Sequence, residues 1–242
     1  MVFAFAGILL APAFPLRAEE SLLQTVSEKS KAVVTLQSVN ATVLAGKPQG
    51  IFDKATGRIL IIKKVRPVGY ARNGSGVIID PKGIILANAH TVRGAGAISV
   101  TFFDGSKAPV KEIHIVPNSD LAFLLIQPPF ALNFISPADS DAVSPGTEIF
   151  LLGHSQHLQE TLIGGKIIGF VLEPGPRRHA THLQISPGVY TGDSGSPVLD
   201  RNGNLLGIIS AGLPGRTNGT FAIASNEIAA AYQNYLKKFK KN

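Results

Sequence analysis

Short apolar runs closed off by turn residues recur along most of this chain. Val77-Ile78-Ile79 is followed by Asp80-Pro81-Lys82-Gly83, and then by Ile84-Ile85-Leu86-Ala87. Runs this short, ending where the backbone must turn, read as strands rather than helices. The same pattern predicts strands at 32–37, 98–103, 110–116, 121–127, 148–153, 161–172, 182–186, 197–199, 205–209 and 221–224. Pro128-Pro129 divides the series in two. Strands in two such halves predict an all-β protein of two small barrels, the first at about 32–127 and the second at about 133–224.

Helices are expected only at the ends. One covers 20–31. The other follows Ser225 as its cap, over about 226–240, with Ile228, Tyr232, Tyr235, Leu236 and Phe239 along one face. Residues 39–73 read as a long, irregular and basic loop with its own hairpin near Ile59 to Ile62. Loops of that length tend to be functional.

Composition fits this class and excludes others. With 25 Gly, 16 Pro and only 16% charged residues, many-turned β structure is favoured over a helical bundle. There is no cysteine, which excludes disulfides and thiolate metal sites. His154 and His157 have a tolerable ligand spacing, but no carboxylate pattern accompanies them, so no metal or other cofactor is expected.

Residues 2–16 are apolar, shorter than the roughly 20 residues of a bilayer span, and broken by Pro12 and Pro15. They read as a signal peptide, 1–18, cleaved after Ala18 and leaving 19–242 as the folded domain. An uncleaved anchor and a disordered tail are the alternatives. Export to the periplasm or the exterior follows from the signal reading. Net charge is +7, much of it from Lys237, Lys238, Lys240 and Lys241. A basic tail can touch anionic lipid or nucleic acid, but the solvated end of a helix is the plainer reading. Nucleic acid is not expected as a partner, and membrane contact is expected only through an uncleaved signal or this tail.

The chemistry concentrates in Gly192-Asp193-Ser194-Gly195-Ser196-Pro197. A serine between glycines presents a nucleophilic hydroxyl beside backbone N–H groups that can hold an oxyanion. Gly192, lacking a Cβ, can turn its N–H inward, and Gly195 lets substrate and backbone come close behind the serine. A base and a carboxylate must then lie elsewhere. Of the six histidines, His90 stands directly after an apolar strand, where a loop exposes it. His114 falls inside a predicted strand, and His154, His157, His179 and His182 sit in or beside loops. Asp120 immediately precedes the most hydrophobic strand, so its carboxylate is expected to be partly buried and in need of a partner, which the histidine Nδ1–H supplies. Asp80, Asp104 and Asp141 fall in turns that solvent explains. The order His90, Asp120, Ser194 puts base and carboxylate on the first half and the nucleophile on the second, with a cleft between.

Gly74-Ser75-Gly76-Val77-Ile78-Ile79-Asp80, running into Asn88-Ala89-His90, resembles the catalytic-histidine region of the HtrA (Deg) serine proteases. Ser119-Asp120-Leu121-Ala122 is similar to their aspartate segment. Ala138-Asp139-Ser140-Asp141 with Pro145-Gly146 and Gly153 looks like the opening of their second barrel. The resemblance spans roughly 20–240, strong at the three catalytic segments and weak over 39–73. It implies the chymotrypsin-type double six-stranded barrel and endopeptidase activity on polypeptides, including unfolded or misfolded ones. His90 would act as base, Asp120 would orient it, and Ser194 would be the nucleophile. The Gly192-Asp193-Ser194 backbone would form the oxyanion hole. Homotrimers formed through N-terminal segments also follow by analogy, and residues 20–31 are available for that.

Two departures qualify the resemblance. HtrA proteins usually carry asparagine before the nucleophile and glycine two residues after it, where this chain has Asp193 and Ser196. That is nearer to trypsin and to the secreted glutamyl endopeptidases, and it leaves Asp193 either exposed or paired with an unidentified base. The chain also ends at Asn242, which leaves no room for a PDZ domain. By the same resemblance Gly188, Val189 and Tyr190, with Ser210, Ala211 and Gly212, border the substrate pocket. No acidic residue lies at its base and Ile209 replaces the histidine of glutamyl specialists, so a small or medium apolar side chain is the expected fit. A catalytically silent, chaperone-like or peptide-binding protein on the same fold is the alternative.

Overall fold

The computed structural model describes residues 16–45, 49–53, 58–62, 65–155, 158–172, 180–186, 193–210 and 220–239. The β-branched and apolar runs pair into two closed antiparallel barrels. The first contains β1 (Val33–Ala45), β4 (Val65–Asp80), β5 (Ile84–Asn88), β6 (Ala97–Thr101), β7 (Lys107–Ile115) and β8 (Leu121–Ile126), in the order β1-β4-β5-β8-β7-β6. The second contains β9 (Glu148–Ser155), β10 (Leu158–Leu172), β11 (Ala180–Ser186), β12 (Pro197–Leu199), β13 (Leu205–Ser210) and β14 (Thr220–Ala224), in the order β10-β11-β14-β13-β12-β9. Two strands, β2 (Gln49–Asp53) and β3 (Arg58–Ile62), form a separate pair. Three helices, α1 (Leu16–Ser30), α2 (Ala89–Val92) and α3 (Ser225–Phe239), complete the described elements. This is the all-β double barrel with short terminal helices that the sequence predicts. Residues 1–15, most of the expected signal, lie outside the described residues, and among those described no helix is long and apolar enough to cross a membrane.

One local expectation needs correcting. Residues 39–73 are not an irregular loop throughout. β1 and β4 stay paired from Val33↔Val77 out to Ala45↔Val65, and the β2–β3 pair lies within the intervening segment. Once β1 and β4 are in register at the barrel wall, each further pair adds backbone hydrogen bonds, so pairing continues through residues 65–73, whose side-chain pattern gives no sign of it. At the other end, the Ser225 hydroxyl donates to the Ala138 carbonyl at 2.6 Å. The Asn226 N–H is taken by Ser140 Oγ at 3.1 Å. A distant serine thus satisfies an N-terminal N–H that a helix cannot satisfy itself.

The larger core runs across both barrels. Leu36, Ile78, Leu86 and Leu124 of the first join Leu152, Leu205, Ile208 and Ile223 of the second, with Ile228 and Tyr235 of α3. A second cluster around Ile149, Ile167, Leu183 and Ile209 fills the second barrel. The linker is stitched to both sides: the Ile135 N–H donates to the Ile78 carbonyl at 2.9 Å, and the Ala138 N–H to the Leu205 carbonyl at 2.8 Å.

Candidate active site

His90 and Asp120 are brought together by the pairing of β5 with β8, which sets Asn88 opposite Leu121. The single turn of α2 then buries Ala89, Thr91 and Val92 and leaves the His90 side chain 43% exposed. On the other side the chain turns at Asn118, whose φ of 56° asparagine tolerates, and delivers Asp120 just ahead of β8. The Ala89 N–H and the Asn88 side-chain amide donate to the Asp120 carbonyl at 2.9 and 3.3 Å. The His90 N–H donates to Asp120 Oδ1 at 2.9 Å, and His90 Nδ1 meets Oδ2 at 2.7 Å.

Ser210, at the end of β13, completes this cradle from the second barrel by donating its hydroxyl to Asp120 Oδ2 at 3.0 Å. Burial of Asp120 works against its charge. The hydrogen bonds from the His90 ring and N–H, joined by that from Ser210, outweigh the burial and hold the carboxyl below the usual carboxylate range. An ionised carboxylate only accepts, so Nδ1 carries the proton of that bond, and in the neutral form of the ring Nε2 is the nitrogen with the lone pair.

Ser194 lies in the turn before β12, locked on both sides. Its carbonyl accepts the Ser75 N–H at 2.9 Å, the Gly195 N–H donates to the Ile209 carbonyl at 2.9 Å, and the Ser196 N–H to the Asp193 carbonyl at 2.9 Å. Gly195 has φ +87°, and a Cβ there would stand 2.0 Å from the Ser75 carbonyl oxygen. First-barrel backbone makes a close approach at this glycine. Gly74 is flanked by both halves of the site: a Cβ on it would meet Thr91 Cγ2 at 2.9 Å and the Ser194 carbonyl oxygen at 3.6 Å. Residues 74–75 thus touch the histidine turn and the serine turn at once.

Asp193 is 5% exposed and is not without a partner, so the exposed alternative is excluded. Gly188, Val189, Tyr190, Gly192, Ala211 and Gly212 lie outside the described residues, as do His157 and His179 and the side chain of His154. His114 and His182 belong to β7 and β11, and burial pushes both imidazoles below the ordinary histidine range. Lys238 adds to that effect on His114, while Glu227 and Asp120 oppose it on His182. The resemblance places Ser210 only at the pocket edge, and nothing in the sequence singles out Ser38 or Arg72, which donate to the Thr91 and His90 carbonyls of α2. No local pattern announces such contacts, since they arise from strand register.

Residues 74–208 match the trypsin-like peptidase domain. The chain is 35% identical over 212 residues to the periplasmic pH-dependent serine endoprotease DegQ of Escherichia coli, an alignment covering 85% of this chain and 46% of DegQ. It is 36% identical over 161 residues to the periplasmic serine endoprotease DegP of the same organism, covering 64% of this chain and 34% of DegP. It is also 30% identical over 235 residues to the putative serine protease HhoA of Synechocystis, covering 92% of this chain and 58% of HhoA. The chain thus spans about a third of the length of DegP and under half that of DegQ. Among solved structures it resembles the HtrA-type protease AlgW with a decapeptide, with a TM-score of 0.69 at 22% identity over 89% of this chain and 67% of that one. The chain belongs to the trypsin-like peptidase family, and it is similar in sequence to DegP and DegQ and in fold to an HtrA-type protease.

Proposed function

We propose that this protein is an exported serine endopeptidase. The observation that carries the reading is the 2.7 Å hydrogen bond from His90 Nδ1 to a carboxylate that two further donors, the His90 N–H and the Ser210 hydroxyl, keep ionised. With Nδ1 so engaged, Nε2 takes the Ser194 hydroxyl proton as the oxygen attacks the substrate carbonyl, and Asp120 stabilises the imidazolium that forms. The N–H groups of Gly192 and Ser194, on either side of Asp193, hold the oxyanion. Collapse of the tetrahedral intermediate passes the proton from His90 to the leaving amine. An acyl-enzyme on Ser194 remains, and water, activated by the same imidazole, hydrolyses it.

The substrates are polypeptides, cleaved after a small or medium apolar residue seated among Gly188, Val189, Tyr190, Ser210, Ala211 and Gly212. The compartment is the periplasm, as in the names of DegP and DegQ. A fluorophosphonate probe tests the chemistry: it should label the wild-type protein and leave Ser194→Ala unlabelled. A wild-type protein that takes no label would remove the reading. A peptide library then gives the preferred residue at the cleaved bond, and cleavage confined to sites after Lys, Arg or Glu would overturn the apolar assignment.

A further inference from the structure

The turn that carries His90 is gripped from the first barrel by a cross-strand pair. Ser38 of β1 and Arg72 of β4 face each other in register, one position before the β1–β6 pairing ends at Val39↔Ala97. Arg72 Nη1 donates to the His90 carbonyl at 3.0 Å. The Ser38 hydroxyl, buried, donates to the Thr91 carbonyl at 2.8 Å. α2 is a single turn, so its carbonyls have no later helical N–H groups to accept beyond the Arg93 N–H, which bonds Ala89. Asp120 holds the ring and the N–H of His90. Its carbonyl is held by Arg72.

We propose that Arg72, supported by Ser38, is a positioning residue for His90, fixing the peptide plane from which the imidazole is aimed at the serine turn. The inference rests on the reading of His90 as general base, although the clamp is a structural fact on its own. Three features favour a positioning role over mere stability. The guanidinium is exposed, so the bond buries little surface. It ends on the backbone of the one α2 residue whose side chain leaves the core. Two residues on, Gly74 and Ser75 touch Thr91 and the Ser194 carbonyl, so the same strand sets both halves of the site. A small misplacement of a catalytic group can cost far more in rate than the lost contact costs in stability.

The test compares Arg72→Ala, Arg72→Lys and Arg93→Ala, the last removing an equal charge three residues from His90. The readouts are the second-order rate of fluorophosphonate acylation of Ser194, the melting temperature, and the low-field proton resonance of His90 Nδ1–H. Arg72→Ala should acylate on the order of 10-fold more slowly with the melting temperature unchanged and the Nδ1–H resonance broadened. Arg72→Lys should recover part of the rate, because the clamp uses a single N–H and not the bidentate fork that lysine cannot copy. Arg93→Ala should behave as wild type. The proposal is overturned by wild-type acylation in Arg72→Ala, by a loss that only tracks unfolding, or by an equal loss in Arg93→Ala. If the wild-type protein takes no label, the enzymatic reading fails and the resonance decides alone: broadening in Arg72→Ala supports the clamp, and an unchanged line refutes it.

Discussion

Gly195 carries the heaviest steric constraint at the site. An alanine there combines a left-handed backbone with a methyl group 2.0 Å from the Ser75 carbonyl oxygen, a backbone atom that cannot swing aside. Gly195→Ala should therefore lose more than about 3 kcal/mol in urea denaturation, and a milder loss would mean the two barrels can separate locally at little cost. Asp120 leads to a different experiment. Its folded-state pKa is lowered, so its hydrogen bonds contribute stability that is complete above the unfolded value near 4 and fades as pH falls through the lowered folded value. At a third exposed the contribution is on the order of 1 kcal/mol. The difference in urea midpoint between wild type and Asp120→Asn should accordingly shrink below about pH 4; a difference constant with pH would rule out the carboxylate as its source. Asp120 was legible in the sequence because an acidic residue ahead of Leu121-Ala122-Phe123-Leu124 must be buried beside a partner. The Ser210 bond to it was not legible, since the two residues are 90 positions apart and meet only through the closure of two barrels.

At the scale of elements, α3 shows how a pattern can be right about a face and silent about its target. Its apolar face is readable from Ile228, Tyr232 and Tyr235; the helix lies against β11, β13 and β14 of the second barrel, and its two tyrosines reach across to the first. The Phe123 ring of β8 lies tilted against Tyr232 and Tyr235, with centroids 5.5 and 5.2 Å away, and the His114 ring of β7 is 5.2 Å from that of Tyr235. The Tyr232 hydroxyl donates to Asp80 Oδ2 at 2.8 Å. Burial, and then this carboxylate, push that hydroxyl well above the ordinary tyrosine range. Asp80 had looked like a solvated turn residue, and its local role is indeed there, accepting the Lys82 N–H at 2.7 Å. The second role depends on a helix 152 positions away. Tyr232→Phe removes only the hydroxyl and should cost about 1–2 kcal/mol, with far-ultraviolet dichroism unchanged. A neutral result would mean that water replaces the bond freely. The β1–β4 extension is hard to read for the opposite reason: pairing there is driven by backbone already in register, and residues 65–73, the partner of the alternating Val39-Asn40-Ala41-Thr42-Val43, carry no clean alternation to reveal it.

For the whole molecule, the question is whether two barrels make one folding unit or two. Each is closed, which ordinarily permits independence. Three sets of contacts argue against it here. The larger core takes side chains from both barrels and α3 without a break. The Ser75 N–H bonds the Ser194 carbonyl across the interface, and Ser210 reaches Asp120 from the other side. The linker joins Ile78 of one barrel to Leu205 of the other through Ile135 and Ala138. Sequence halves divided at Pro128-Pro129 could show that there are two barrels, but not that their cores merge, because each strand's inner face reads the same whichever core it fills. Merged cores predict one cooperative transition, with the calorimetric enthalpy equal to the van't Hoff value. Ile85, fully buried in β5, provides the perturbation. Ile85→Ala should cost about 2–5 kcal/mol and move that single transition as a whole, including a probe in the second barrel such as a tryptophan introduced at Phe170. Two resolved transitions, with the Phe170 probe melting unchanged when Ile85 is truncated, would instead establish that the barrels fold separately and that the site between them assembles by docking.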